Sequence, residues 1–417
     1  MISRRAFLKS GGLAMLSIGV GGVPAFAIRA AHAGKHTGLY KKNKILVCIF
    51  QRGAMDGLMA VPPFTDNYFK TARPNLFMNA DSKGSLMDLD GRFGLHPGFK
   101  SFASLFQSKQ LAIVHGMGSP NTTRSHFDAQ DYMESGTPFN KGTTSGWLNR
   151  AVGLMGHEGS PFRAVSLTTS LPRSLYGDNP SIAISNLADF GLQLRGAKTA
   201  NLTAQTFEEL YDQTSDELLK EAGKESFEAI KLLKQSDIKN YKPDGNANYP
   251  NSPLGRALKQ IAQLIKMDVG MEVAFAESGG WDTHFNQGTD KGIFARNAED
   301  LSNSIVAFWN DLGAWQDNVT VMTMTEFGRT VKQNGTGGTD HGRASCLFVL
   351  GNDVKGGQVH GQVKTLAIEN LADGRDLEVT TDFRSIFSEV ADRHLQLNDD
   401  KILFPDWQGN PIGIMKS

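Results

Sequence analysis

The feature that most constrains the fold is an alternation of short apolar runs with longer segments of helical periodicity. Six runs of strand length are mostly apolar, as buried parallel strands are when helices cover both faces of a sheet. They occupy 45–50, 111–115, 164–169, 271–276, 319–325 and 346–351. Helical patterns occupy 99–107, 125–135, 206–234, 254–267, 297–315 and 382–397.

This alternation predicts an α/β fold with a mostly parallel central sheet covered by helices on both faces. The segment 236–253 holds three prolines and four asparagines, which is typical of a loop. We therefore expect a single α/β domain over 34–417, with a helical or loop insertion around 200–253.

The first 33 residues have the parts of a signal peptide for the twin-arginine (Tat) pathway. Residues 3–9 (SRRAFLK) contain the arginine pair, a modestly apolar stretch follows, and 31–33 (AHA) is a small-residue cleavage site. The apolar stretch is short and rich in glycine, which argues against a permanent membrane anchor. The sequence predicts a periplasmic or secreted protein that meets the Tat translocase during export and is not an integral membrane protein after processing.

Composition and missing motifs exclude several function classes. Equal numbers of basic and acidic residues, 43 each, leave no charge excess for binding nucleic acid. Two cysteines, Cys48 and Cys346, are too few for a disulfide framework or a cysteine-rich metal site. The chain has no GxSxG, GxxxxGK[ST], HExxH or CxxC motif, so the common hydrolase, nucleotide and redox interpretations lose their usual support.

Five polar clusters stand beside the predicted strands, four after a strand and one before the last. In an open α/β sheet the loops at the carboxyl edge converge on the ligand site. A single aspartate or histidine in a loop is more often a turn or cap residue, but recurrence at five strand ends favours a shared site. The clusters are 52–57 (RGAMDG), 121–128 (NTTRSHFD), 280–284 (GWDTH), 325–329 (TEFGR) and 339–343 (TDHGR).

These clusters supply carboxylate and imidazole side chains, a mixture that suits Zn²⁺ or Mn²⁺ better than Ca²⁺ or Mg²⁺. Arg52, Arg124 and Arg329 each stand within one of these clusters, and a guanidinium is suited to bidentate contact with phosphate or sulfate oxygens. The candidate metal ligands are Asp56, His126, Asp282, His284, Glu326, Asp340 and His341.

The same five clusters resemble the signature segments of the exported domain-of-unknown-function 1501 family, over essentially the whole chain after the signal. That family is in turn similar to the alkaline phosphatase and sulfatase superfamily. The resemblance implies an alkaline-phosphatase-like α/β sandwich with metal ions at the strand ends. In such sites two divalent ions about 4 Å apart stabilise the attacking and leaving oxygens of an ester hydrolysis.

Residue roles follow from this resemblance. It implies that Asp56 binds one metal, that Asp282 and His284 bind a second, and that His341 is a late histidine ligand. Glu326 stands where the superfamily usually has the aspartate of an Asp-His pair, and Phe327 replaces the histidine of that pair.

The nucleophile is left open between Ser125, Thr123 and a water molecule. Ser125 also stands where it would cap the helix that follows. We expect a metal-dependent hydrolase of small anionic phosphate or sulfate esters. The alternatives are a non-catalytic metal-binding envelope protein and a metal-free secreted scaffold.

Overall fold

The computed structural model describes residues 43–80, 85–157, 159–187, 241–245 and 247–416. The predicted signal segment, the predicted helix at 206–234 and most of the predicted insertion lie outside these ranges. All six predicted strands are present. The strands are β1 Ile45–Gln51, β2 Met87–Asp88, β3 Gly94–Leu95, β4 Leu111–Gly118, β5 Ala164–Ser166, β6 Ile182–Ala183, β7 Val273–Ser278, β8 Val319–Met324, β9 Ser345–Leu350, β10 Val359–His360 and β11 Thr381–Asp382.

The central sheet has nine strands, in the order β10-β4-β9-β8-β1-β7-β5-β6, with β11 beside β4. Pairing is parallel except along β9, which runs antiparallel to β4 and β8. The mostly parallel sheet is thus confirmed. Because β9 is reversed, its amino-terminal end lies at the same edge as the carboxyl ends of β1, β4, β7 and β8.

Helices cover both faces of this sheet. The α-helices are α1 Gly57–Ala60, α2 Asn67–Ala72, α3 Ala103–Gln107, α4 His126–Ser135, α5 Trp147–Leu154, α6 Pro253–Lys266, α7 Ile293–Leu312, α8 Phe383–Leu395 and α9 Asp400–Leu403. Short 3-10 helices occupy Pro97–Phe102, Arg173–Leu175, Gly313–Asn318 and Ile368–Asn370.

Side chains of β1 alternate between two apolar cores, as a strand buried on both faces requires. Val47 and Ile49 pack with α3, α6 and α7 on one face, and Cys48 and Phe50 pack with α5 and α8 on the other. Burying a side chain of this size stabilises the fold by roughly 1.5–3 kcal/mol. The two cores hold the sheet rigid and so fix the positions of the loops at its edge.

Helix boundaries follow local sequence signals in most places. Helix α6 begins at Pro253 after Ser252, whose hydroxyl accepts a hydrogen bond from the amide of Gly255 at 3.0 Å. Helix α7 begins at Ile293, earlier than predicted, and ends before Gly313, where a φ of 52° stops the α-helix. The chain continues as a 3-10 helix, so the predicted helix at 297–315 is two elements.

The loop before α6 is held by one buried carboxylate. Asp311 of α7 accepts hydrogen bonds from the hydroxyls of Tyr241 (2.7 Å) and Tyr249 (2.8 Å) and from Lys266 (2.6 Å). The described residues of the predicted loop at 236–253 thus pack on α7. No helix in the described part of the chain is both long and apolar enough to cross a membrane.

Candidate metal centre

Four side chains from three loops converge at one edge of the sheet. His126 is the first residue of α4, Asp282 and His284 follow β7, and His341 precedes β9. The order of the strands brings these loops together, as expected from the clustering at strand ends. We call this group of four residues the candidate metal centre.

The donor atoms of the centre lie within a few ångströms of one another. His341 Nε2 is 3.0 Å from His126 Nε2 and 2.9 Å from His284 Nε2. Asp282 Oδ1 is 3.5, 3.0 and 3.2 Å from the Nε2 atoms of His126, His284 and His341. The group formed by His126, Asp282 and His341 alone already has the spacing of a metal site.

Each histidine is oriented by an oxygen acceptor on its other ring nitrogen. His126 Nδ1 lies 2.8 Å from Glu326 Oε1, and His284 Nδ1 lies 2.9 Å from Asp340 Oδ1. His341 Nδ1 lies 2.9 Å from the main-chain carbonyl oxygen of Arg124. A carboxylate or carbonyl can only accept, so these partners assign the proton to Nδ1. The three Nε2 atoms therefore point toward one another and toward Asp282, and His284 Nε2 also lies 3.4 Å from Arg329 Nη1.

Three buried histidines outside the centre have the reverse arrangement. His96, His115 and His394 each place Nε2 against a main-chain carbonyl, and the amides of Gly98 and Gly116 donate to Nδ1 of the first two. Burial lowers the pKa of each to about 4. No ring nitrogen of these residues is free for a ligand, which agrees with their omission from the predicted site.

The donor set of the centre fits a divalent cation. Ligands at about 2.0 Å from a tetrahedral Zn²⁺ stand about 3.3 Å apart, close to the 3.0–3.5 Å between the donor atoms of His126, Asp282 and His341. Facing lone pairs on nitrogen and a carboxylate repel each other unless a cation lies between them. Asp282, Glu326 and Asp340 bring three negative charges and Arg329 brings one positive charge. Negative charge predominates among these four side chains, which favours a bound cation.

Asp282 is held by a buried arginine. The Arg329 guanidinium donates to Asp282 Oδ1 and also to the carbonyl oxygens of Ala54 (2.9 Å) and Trp281 (3.1 Å). Partial burial by itself raises the pKa of Asp282, but the charge and hydrogen bond of Arg329 lower it below its usual value. Asp282 is therefore ionised and fixed in position.

Glu326 holds His126 in place at the candidate metal centre. Its side chain is fully buried and accepts hydrogen bonds from the amide of Gly53 (2.9 Å) and the side chain of Gln130 (2.8 Å), besides the contact with His126. Burial raises the pKa of Glu326, and the hydrogen bonds of His126 and Gln130 outweigh that effect and lower it. The glutamate thus orients His126, and Asp340 does the same for His284.

Asp56 is not among the side chains that meet at the centre. Its carboxylate pairs with Arg73 through two hydrogen bonds, 2.7 and 3.0 Å long, and accepts a third from Gln287 at 2.7 Å. It also caps α1 by accepting from the amide of Met59. Gln287 Oε1 in turn accepts from the hydroxyl of Thr339 at 2.8 Å. Asp56 therefore anchors the loops that carry the histidines.

The described residues consequently gather donors for one cation. In the two-metal arrangement that the resemblance implies, Asp56 and Glu326 would be ligands. Here the oxygens of Asp56 accept hydrogen bonds from Arg73 and Gln287. Those of Glu326 contact His126, Gln130 and the amide of Gly53.

The other two predicted arginines are engaged by carboxylates. Arg52 donates to Glu277 at 2.7 Å and to Glu134 at 2.6 Å. Arg124 donates to Asp376 through Nε at 2.9 Å and to Asp373 at 2.7 Å. Since Arg329 holds Asp282, none of the three predicted arginines presents a guanidinium without a carboxylate partner.

The hydroxyls before α4 are placed beside His126. Ser125 occupies the N-cap position, but its side chain makes no capping hydrogen bond, so the predicted capping role is wrong. Its main-chain carbonyl accepts from the amide of Ala129 at 2.9 Å. Thr123 Oγ1 accepts from the amide of Ser125 at 3.2 Å. The Ser125 hydroxyl is therefore not used by the helix.

Supporting residues escaped the sequence prediction because they carry no local signal. Arg375 donates to the main-chain carbonyl of His341 at 2.7 Å and to Asp376 at 3.0 Å. Asp376 is fully buried between Arg375 and Arg124. The segment 372–376, here called the clip, thus holds the chain before His126 and the chain at His341.

Fold and site together define a mixed α/β protein with a cluster of histidine and carboxylate side chains, suited to a divalent cation, at the edge of its central sheet. Residues 67–403 match the family described as "Protein of unknown function (DUF1501)". The match covers most of the chain, and the protein belongs to that family, as the sequence motifs predicted. Among curated proteins, none matches.

Three solved structures are similar to this chain. They are the C-terminal periplasmic domain of EcEptC from Escherichia coli in complex with Zn, the PsFucS1 sulfatase from Pseudoalteromonas sp., and alkaline phosphatase from the Antarctic bacterium TAB5. Their sequence identities are 8%, 12% and 12%, and their TM-scores 0.36, 0.33 and 0.28. The aligned regions cover 75%, 76% and 75% of this chain and 73%, 64% and 92% of theirs. Similarity at this level carries no argument about function.

Proposed function

We propose that the protein is an exported, metal-dependent hydrolase of phosphate or sulfate esters. The supporting observation is the convergence of three histidine Nε2 atoms and Asp282 Oδ1, with each Nδ1 held by an oxygen. Imidazole nitrogen together with one carboxylate suits Zn²⁺, with Mn²⁺ as the second choice. Export is proposed from the twin-arginine segment alone, and the Tat translocase would be the partner during export.

The residues of the centre have distinct roles in this proposal. His126, His284 and His341 would hold the ion, and Asp282 would be the fourth ligand. Glu326, Asp340 and the Arg124 carbonyl orient the imidazole rings, as acceptors around metal-binding histidines do. When bound, a divalent cation supplies Lewis acidity that stabilises negative charge on the ester oxygens.

Ser125 is our candidate nucleophile, and Thr123 is the second choice. The Ser125 hydroxyl is next to His126 and takes no part in capping α4. Ser125→Ala should retain metal and fold but lose turnover by several orders of magnitude, whereas the same loss in Thr123→Val instead would make Thr123 the nucleophile. Full activity in both variants would leave a water molecule as the attacking group.

A non-catalytic metal-binding protein is the second candidate function. It is favoured by the four side chains available to one ion, since structural zinc sites are closed by four protein ligands. It is also favoured by the carboxylate partners of Arg52, Arg124 and Arg329, which leave those arginines without a free guanidinium for an anionic ester.

Elemental analysis and turnover together test the two candidates. Protein exported by its own signal should contain close to one equivalent of zinc or manganese, and His341→Ala should lose it. His360→Ala is the control, because His360 lies outside the centre and its Nε2 bonds to the carbonyl of Lys355. Metal with hydrolysis of an aryl phosphate or sulfate supports the hydrolase, and metal without it supports the binding protein. Protein without metal contradicts both.

A further inference from the structure

Arg343 is an arginine beside the centre that the sequence prediction did not select. It follows His341 by two residues, so their Cα atoms are at most about 7 Å apart. Its carbonyl oxygen accepts a hydrogen bond from the amide of Gly328 at 2.9 Å, which fixes this segment against the one that follows Glu326. Arg343 therefore has a defined place at the edge of the centre.

Within the described ranges, the guanidinium of Arg343 forms no hydrogen bond and no ion pair. Its Nε atom is buried and makes no hydrogen bond, and no ion pair within the described ranges involves its side chain. An unpaired charged donor in a partly buried position is unfavourable unless a ligand completes it. Arg52, Arg124 and Arg329 differ in this respect, because each has a carboxylate partner.

The carboxylates near Arg343 are already bound by other arginines. Arg124 and Arg375 bind Asp376, and Arg124 also binds Asp373. The hydrogen bond from Arg124 and the charges of Arg124, Arg343 and Arg375 lower the pKa of Asp373. Of these three arginines, Arg343 alone forms no hydrogen bond or ion pair with a carboxylate within the described ranges.

We propose that Arg343 binds the tetrahedral oxyanion of the substrate, a phosphate or a sulfate, on the His341 side of the centre. A guanidinium matches two oxygens of such a group through parallel N–H bonds. This inference rests on the proposed function, because an anion at this place adjoins the cation that the histidines would hold.

Titration calorimetry on zinc-loaded protein tests the proposal, with inorganic phosphate and inorganic sulfate as separate probes. Wild-type protein should bind one of them more tightly, which identifies the ester class. Arg343→Gln should weaken that binding by about tenfold or more at unchanged zinc content, and Arg343→Lys should weaken it less. Arg296→Gln, at an exposed position of α7, is the matched control and should bind as the wild type does.

Zinc content of the same samples separates the two ways of failing. Wild-type protein without zinc contradicts the proposed function. Full zinc content with equal anion affinity in wild type and Arg343→Gln overturns the role of Arg343 alone. If neither anion binds the zinc-loaded wild type, the proposed role of Arg343 is overturned as well.

Discussion

The buried ion pair between Asp56 and Arg73 gives a direct test of how the loops of the centre are held. Both side chains are fully buried, and the carboxylate accepts two hydrogen bonds from the guanidinium. Asp56→Ala leaves Arg73 buried without a counter-ion. Because breaking a buried pair in this way costs about 3–5 kcal/mol, we expect the free energy of unfolding to fall by about that amount.

Guanidinium chloride unfolding of chelator-treated protein measures this loss without a contribution from bound metal. In a double-mutant cycle with Arg73→Met, the double variant should lose far less stability than the two single losses combined. Asp66→Ala is the matched control: Asp66 caps α2 by accepting from the amide of Tyr68 at 2.8 Å, and it has no ion pair in the described structure. Loss of a cap costs about 1 kcal/mol.

Two outcomes would refute this reasoning. Additive single losses, within about 0.5 kcal/mol, would show that the pair is not coupled. Unchanged stability of chelator-treated Asp56→Ala, together with the loss of one equivalent of metal from the loaded protein, would make Asp56 a ligand. That second outcome would favour the two-metal site that the family resemblance implies.

Three further predictions concern other parts of the chain. Burial lowers the pKa of His115 to about 4, so between pH about 6.5 and 4 the imidazole takes up a proton in the unfolded chain and not in the folded protein. The free energy of unfolding should therefore fall as the pH drops through this range, and in His115→Phe it should fall less steeply, by up to about 1.4 kcal/mol per pH unit. The same slope in the variant as in the wild type would refute this prediction. Asp376→Asn should weaken zinc affinity about 10–100-fold in chelator competition, and an equal effect of exposed Asp373→Asn would contradict a specific role for the clip. Arg4→Lys with Arg5→Lys should leave precursor in the cytoplasm, and mature protein in the periplasm at the wild-type level would exclude this export route.

Strand positions could be predicted because a strand buried on both faces has few polar positions. The run at 346–351 is found as β9 Ser345–Leu350, but its antiparallel direction could not be predicted, since apolar composition is the same in either direction. Helix α5 Trp147–Leu154 was missed because eight residues give too few turns for a clear period. The edge strands of two residues have no period at all.

The centre could be predicted only as far as the strand ends determine it. His126, Asp282, His284 and His341 could be predicted because each stands in a loop next to a predicted strand, at the edge of the sheet where such loops converge. The role of Asp56 could not be predicted, since its partner Arg73 lies in another element and nothing near either residue marks the pair. The free guanidinium of Arg343 is likewise visible only once the carboxylates are placed.

Each loop of the centre is held by a polar side chain outside the donor set, which explains why several charged residues there do not face the ion. Arg329 fixes Asp282, Glu326 fixes His126, and Arg375 holds the chain at His341. Irregular loops cannot keep donor atoms about 3 Å apart by backbone hydrogen bonds alone, so side-chain anchors supply the rigidity. A substitution at an anchor should therefore lower metal affinity and leave the affinity of the loaded protein for anions unchanged, whereas Arg343→Gln should do the opposite.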